Sequence, residues 1–228
     1  MPGKGLVIDV PVIEGGTFVL APYADRIDVL AIKKWEDFDE LYNYLRADKH
    51  NYKWLAFDTI TAAQVLAQRK VAKERPLDAD PHMMSMQDFG KMGNLMKEFF
   101  YRFKQLPLYL ILTAQERIRE SAASGGLEFQ PAVSPSAMEG LIPPMTLVGR
   151  LYTVEADDAG RTKVERRLRV GPHSMTVTKQ RTIPGRNLPA VIKEPNLGTI
   201  FAYMLGVQGA QAPEGVLEET GFLGITIE

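Results

Sequence analysis

The sequence predicts an α/β fold, with a mostly parallel sheet flanked by helices and extended by antiparallel strands. Three observations carry this. Short apolar runs alternate with segments of helical periodicity through the first half of the chain. Two of those runs end on an acid, at Asp9 and Asp58. From residue 147 the pattern changes to consecutive short strands, as in an antiparallel meander.

Each element follows from its residues. Gly5 to Asp9 (GLVID) is a short apolar run and reads as a buried strand, which Pro11 and Gly15-Gly16 end in a loop. Arg26 to Ile32 (RIDVLAI) reads as a second strand. Trp35, Phe38, Leu41, Tyr42 and Leu45 then recur at helical spacing. Acids sit in the first turns of that helix, where its dipole favours them. Lys53 to Asp58 (KWLAFD) is another strand, and Ala62 to Lys73 reads as a helix. Glu74 to Pro81 is a loop with two prolines. Met86, Phe89, Met92, Met96, Phe99, Phe100 and Phe103 mark a long amphipathic helix whose methionines and aromatics suit a core. Pro107 to Thr113 (PLYLILT) is a strand. Arg119 to Pro144 is rich in Ser, Gly, Ala and Pro, and reads as a long functional or irregular loop. Strands are expected at 147–155, 165–170 and 174–179, with a hairpin turn at 157–160 and a closing helix at 197–205. No internal repeat and no linker divides the chain. It reads as one core over 1–205 and an acidic tail over 206–228.

Composition narrows the function classes. The 228 residues contain no cysteine, which excludes disulfides and thiolate metal sites. No apolar run approaches the roughly 20 residues of a membrane span, and no signal-type segment follows Lys4. These features point to a cytoplasmic protein that does not engage a membrane. The net charge of −1 gives no global nucleic-acid signature. Its distribution is uneven, however. Residues 161–193 hold nine Lys or Arg against the single acid Glu165, whereas residues 206–228 hold four acids and no base. A basic block of this kind suits contact with phosphates; a solvated hairpin face would give the same pattern.

The chemistry-bearing position that stands out is Asp58. A buried strand that delivers an Asp to its C-terminal edge, followed by Thr59 and Thr61, can hold Mg²⁺ through water, as in P-loop ATPases. Sites in parallel sheets lie at the carboxyl ends of strands. An Asp in this position is equally a helix N-cap. Gln115 lies just past a later strand. Lys179 and Arg181 are two residues apart, so in a strand they would project to one face. His50, His82 and His173 have no ligand spacing, so Mg²⁺ is the only metal expected.

Taken in order, these segments resemble the RecA-type recombinase core. They are most similar to the small RecA-like ATPases of bacteriophages that act in single-strand annealing and recombination, a group of phage AAA-type nucleotide-binding proteins. The matching stretches are LVID…EGGT (6–17), WEDFDELYNYLR (35–46), KWLAFDTIT (53–61), QDFGKMGNLM (87–96), LPLYLILTAQER (106–117), LVGRLYTVE (147–155) and VTKQRTIPG (177–185). The resemblance implies a P-loop NTPase core that binds ATP and Mg²⁺ in the host cytoplasm. It implies that Glu14 activates the attacking water, that Asp58 and Thr59 serve the metal side, and that Gln115 senses the γ-phosphate. Residues 119–144 would be the DNA-binding loop, with Arg117 and Arg119 on single-stranded DNA. Lys179 and Arg181 would reach a neighbouring protomer's nucleotide, making the active unit a homo-oligomer, filament or ring. A single-strand-binding protein is a further expected partner.

The chain departs from the family in one major respect. G-x-x-x-x-G-K-[ST] occurs nowhere in it, so the family's first strand–loop–helix unit is missing from this sequence. Residues Pro11 to Ile13 also widen the usual gap before Glu14. A non-catalytic RecA-fold subunit that binds DNA is therefore the alternative expectation.

Overall fold

A computed structural model describes residues 3–13, 15–74, 84–120, 125–158 and 161–216. These form two compact units. The first comprises residues 2–117 and 131–144; the second comprises residues 118–130 and 145 onward. The chain passes between them more than once, so neither unit is a single stretch and no linker marks the division.

The first unit is built on a four-stranded parallel sheet. Its strands are β1 (Lys4–Asp9), β2 (Ile27–Ala31), β3 (Tyr52–Asp58) and β4 (Tyr109–Leu112), in the order β2-β1-β3-β4. Leu6 and Ile8 of β1 lie in register with Leu55 and Phe57 of β3. Residues paired this way in a parallel sheet share one face. That face is covered by α1 (Asp37–Arg46) and α3 (Met86–Lys104). Phe57, fully buried, is the centre of the resulting core. Its ring lies 4.9 Å from both Phe99 and Phe103 and 6.0 Å from Phe38. Arg102 of α3 binds Asp39 of α1 and stacks on Tyr42, which ties the two helices together at the surface. On the opposite face of the sheet, the Trp54 indole lies flat over Gly5. A Cβ on that glycine would come within 2.0 Å of the ring, so any larger residue would force the Trp54 side chain to shift.

The helices begin where the sequence places caps. Thr59 caps α2 (Ile60–Lys73) by accepting from the Ala62 N–H at 3.1 Å. Ser85 and Asp88 close a capping box on α3. Residues 119–144, expected as one irregular loop, instead begin with the end of β5 (Glu116–Glu120), which pairs with β6 (Leu127–Pro131), and go on to α4 (Pro135–Leu141). Ser134 caps α4 and Pro135 opens it, and these two residues fix a helix too short to show periodicity.

The second unit carries the antiparallel strands as sheets of their own. β8 (Arg150–Asp158) and β9 (Arg161–Arg169) form a long hairpin, and β11 (Val191–Lys193) pairs with the far side of β9. The turn residues 159–160 lie outside the described residues. β7 (Leu147–Val148) pairs with β10 (Lys179–Gln180). The strand expected over 174–179 is reduced to β10, because residues 173–176 close a turn on themselves, with Thr176 N–H donating to His173 C=O. α5 (Leu197–Met204) packs Ile200 and Met204 against Leu168, Val170 and Ile192. No described helix is long and apolar enough to cross a membrane.

Candidate functional site

The two acid-tipped strands are neighbours. Asp9 ends β1, Asp58 ends β3, and the two residues are directly paired in parallel register. Both therefore leave the carboxyl edge of the sheet on the same face, where parallel-sheet sites form. Each carboxylate is held by a threonine. The Thr17 hydroxyl donates to Asp9 Oδ2 at 2.7 Å, and the Thr113 hydroxyl donates to Asp58 Oδ1 at 2.7 Å. Asp9 is nine-tenths buried, while Asp58 is half-buried. Together they line a shallow cleft with Val10, Ile13, Gly16, Thr59 and Ala62.

Backbone hydrogen bonds fix the cleft walls. Val10 N–H donates to Asp58 C=O at 3.0 Å, and Ile60 N–H donates to Thr113 C=O at 2.9 Å. Because Thr59 rather than Asp58 caps α2, the Asp58 carboxylate is not committed to the helix end. The alternative reading of Asp58 as an N-cap is thereby replaced. Gln115 sits just beyond β4. Its N–H donates to Thr61 Oγ1 at 3.1 Å, and its carbonyl accepts from Ala132 N–H at 2.8 Å. This anchors Gln115 to α2, the helix that starts at the cleft.

The other expected residues fall elsewhere. Glu14 lies outside the described residues. Arg117 and Arg119 are both on β5, Arg117 in the first unit and Arg119, exposed, in the second. Lys179 is half-buried and pairs with Val148, while Arg181, exposed, follows with its N–H on Thr146 C=O at 2.9 Å. Both belong to the second unit. Sequence reasoning did not assign Asp9, Thr17 or Thr113 to the site. The available signal was the repeat of an apolar strand ending on Asp, LVID and LAFD. Two such strands in one parallel sheet bring their acids together if their registers agree.

The profile of the AAA domain family matches residues 6–182, most of the chain. The chain belongs to the AAA domain family. An AAA domain is a nucleotide-binding module of the ATPase type, and the parallel α/β core with its added antiparallel strands is a P-loop NTPase fold. No curated protein matches the chain.

An AAA domain implies ATP with Mg²⁺. The Asp9 and Asp58 carboxylates fit the metal, because Mg²⁺ prefers hard oxygen donors, needs only one or two carboxylates and keeps several waters. The Thr17 and Thr113 hydroxyls fix the two carboxylates. The residues present do not fit the phosphates. Among the described residues the lining of the cleft has two acids and no Lys or Arg, and the sequence has no phosphate-loop motif.

Proposed function

We propose that the chain is a RecA-like subunit acting in phage DNA recombination and single-strand annealing. In this reading it binds single-stranded DNA, holds Mg²⁺ at Asp9 and Asp58, and binds ATP when a phosphate loop is supplied. The observation that carries the proposal is the in-register Asp9–Asp58 pair within an AAA domain. A magnesium ion supplies charge neutralisation at phosphate oxygens. Asp58 and Asp9 would hold the ion, and Thr113 and Thr17 fix the two carboxylates. Gln115, fixed to α2 through Thr61, links the cleft to β5 and its arginines. Glu14 stands as the acid for the attacking water. Lys179 and Arg181 complete the site of a neighbouring protomer in a filament or ring. A single-strand-binding protein is the expected partner on DNA.

The test is calorimetric titration of Mg²⁺, and of Mn²⁺ as its analogue, into the chain and its Asp58→Asn variant. The variant should bind at least tenfold more weakly. Equal affinity would remove Asp58 from the site. With a phosphate loop supplied, Asp58→Ala should abolish hydrolysis, and unchanged turnover would sink the ATPase assignment.

A second reading is favoured by the acid-only cleft and the absent G-x-x-x-x-G-K-[ST]. Here the chain is a non-catalytic RecA-fold subunit that binds DNA alone. Micromolar binding of Mg-ATP by the chain as it stands would defeat this reading.

A further inference from the structure

Strand β2 lies at one edge of the parallel sheet and pairs, among the described residues, with β1 alone. Its hydrogen-bonding direction is fixed at both ends. Arg26 C=O accepts from Gly5 N–H at 2.9 Å, and Ile32 N–H donates to Asp9 C=O at 2.8 Å. Along a strand the backbone groups of alternate residues point to the same side. Asp28 and Leu30 therefore turn their N–H and C=O groups toward β1, while Ile27, Val29 and Ala31 turn theirs outward. The outward groups make no backbone hydrogen bond among the described residues.

Open edges are normally guarded by Lys, Pro, a bulge or an inward-pointing charge, which keep other strands away. β2 (IDVLA) has no Lys, Arg or Pro, and its register with β1 is unbroken. Its one charge, Asp28, is neutralised within its own sheet. The Tyr52 hydroxyl donates to Asp28 Oδ2 at 2.6 Å, and Lys4 Nζ lies 2.7 Å from the same oxygen. What the strand offers outward is apolar: Val29 and Leu30 are 43% and 41% exposed. The 3₁₀ helix Thr17–Tyr23 lies against β2 and adds Phe18 and Val19, both exposed, to the apolar surface near this edge.

We propose that the β2 edge pairs with the β2 edge of a second copy of this chain, antiparallel about a two-fold axis at Val29, so that the two sheets become one. The strand is self-complementary in that arrangement. Outward-facing residues meet outward-facing residues: Val29 meets Val29, and Ile27 meets Ala31. Each of these pairs exchanges two N–H···O=C bonds. A slip by one residue would set outward groups against inward ones and lose the ladder. Moving the axis to Leu30 leaves fewer facing pairs, and moving it to Asp28 sets two acids against each other. With the axis at Val29, Asp28 stands opposite Leu30 instead. Just beyond the strand ends the same register brings the exposed Asp25 of each copy beside the exposed Lys33 of the other. These opposite charges select a second copy, in this direction, over an arbitrary strand. A two-fold contact of this kind closes on itself. It uses no residue of the cleft, and it is separate from the filament or ring contact through Lys179 and Arg181.

The chain has no cysteine, so single-cysteine variants of the full chain report the register. Facing residues in a hydrogen-bonded antiparallel pair have Cα atoms about 5.5 Å apart, inside the disulfide range of about 4.4–6.8 Å. Val29→Cys should therefore form a covalent dimer on mild oxidation. Leu30→Cys should not, because the two positions would be two residues out of register and beyond about 7 Å. Sedimentation of the wild type, from micromolar to hundreds of micromolar, should show a monomer–dimer equilibrium. Val29→Lys sets like charges on the axis and should raise the dimer dissociation constant at least tenfold, with an unchanged far-ultraviolet circular dichroism spectrum. Lys179→Ala with Arg181→Ala should leave the dimer in place. A wild type that stays monomeric throughout the series, or equal cross-linking at 29 and 30, would overturn the inference. So would a dimer that survives Val29→Lys, or one that is lost with Lys179 and Arg181.

Discussion

The α3–α4 contact is close enough that one methyl group decides its stability. Gly93 of α3 is buried, and a Cβ there would lie 2.1 Å from Ser136 Oγ and 2.8 Å from Ser136 Cβ. Carbon atoms in contact need about 3.5–4.0 Å, so the two Cβ atoms would be short by about 1 Å. The Ser136 hydroxyl can rotate away, but its Cβ moves only with α4. That helix is tethered at its start, where Ser134 N–H donates to Gln64 Oε1 at 2.6 Å. Gly140 of α4 is similarly tight, since a Cβ there would lie 2.6 Å from Lys97 Cγ. Overpacking of this kind costs about 2–3 kcal/mol, and Ala in place of Gly inside a helix returns about 1. Gly93→Ala should therefore be destabilising by about 1–2 kcal/mol. At about 2–4 °C per kcal/mol for a chain of this size, Tm should fall by about 2–8 °C. Gly90 provides a control on the same helix, because a Cβ there meets nothing within 4 Å. Gly90→Ala should raise Tm by a few degrees. Adding Ser136→Gly to Gly93→Ala should recover most of the loss, giving a coupling of about 1 kcal/mol or more in a double-mutant cycle. Differential scanning calorimetry reads the wild type, the single variants Gly93→Ala, Gly90→Ala and Ser136→Gly, and the double variant. If Gly93→Ala raises Tm as Gly90→Ala does, the helices are not in the close contact described.

Other outcomes follow from the same structure. Phe57→Ala should cost about 3–5 kcal/mol, because it empties the centre of the aromatic core; a loss under about 1 kcal/mol by urea unfolding would show the core is organised elsewhere. Thr113→Val removes the hydroxyl on Asp58 and keeps the shape, so Mg²⁺ or Mn²⁺ affinity should fall about three- to tenfold with little change in Tm; a calorimetric affinity equal to wild type would show that the hydroxyl does not position the acid. Glu165 has its carboxyl held below the usual 4.5 by the hydrogen bond from Arg167 and then by Lys193. A depressed carboxylate contributes stability that is present above pH 4.5 and lost as pH falls through its folded pKa. Glu165→Gln should thus flatten the dependence of Tm on pH below 4.5, and parallel acid limbs for variant and wild type would refute this.

Much of the fold was legible because strong local signals agreed with the tertiary outcome. The runs at 5–9 and 53–58 are strands, the run at 107–113 contains the shorter β4, and the periodic segments at 35–45, 62–73 and 86–103 hold α1, α2 and α3. The position of Asp58 at a strand end was legible in the same way. Asp9 was not assigned, since its role depends on a register between strands nearly 50 residues apart. The segment 119–144 was read as irregular because its elements are five to seven residues long, too short for periodicity. Its signals were local ones: Gly125 at φ +66° beside Gly126, and Ser134 before Pro135. β11 was missed for the same reason, being three residues between Pro189 and Pro195. The pairing of Arg150 with Arg169 across β8 and β9 could not be read from the basic block, because composition does not tell which charges face each other.

The pairing of Asp9 with Asp58 has a kinetic consequence. The two carboxylates come from strands that meet only after the intervening chain, with β2 and α1, has been closed into a loop. Closing such a loop costs entropy before any contact is gained, and the meeting of two acids adds repulsion at the last step. The paired carboxylates therefore do not come together in any partly folded state that lacks the β1–β3 pairing. A cation that binds there acts only on the assembled sheet, so its main effect on the folding reaction is to slow unfolding.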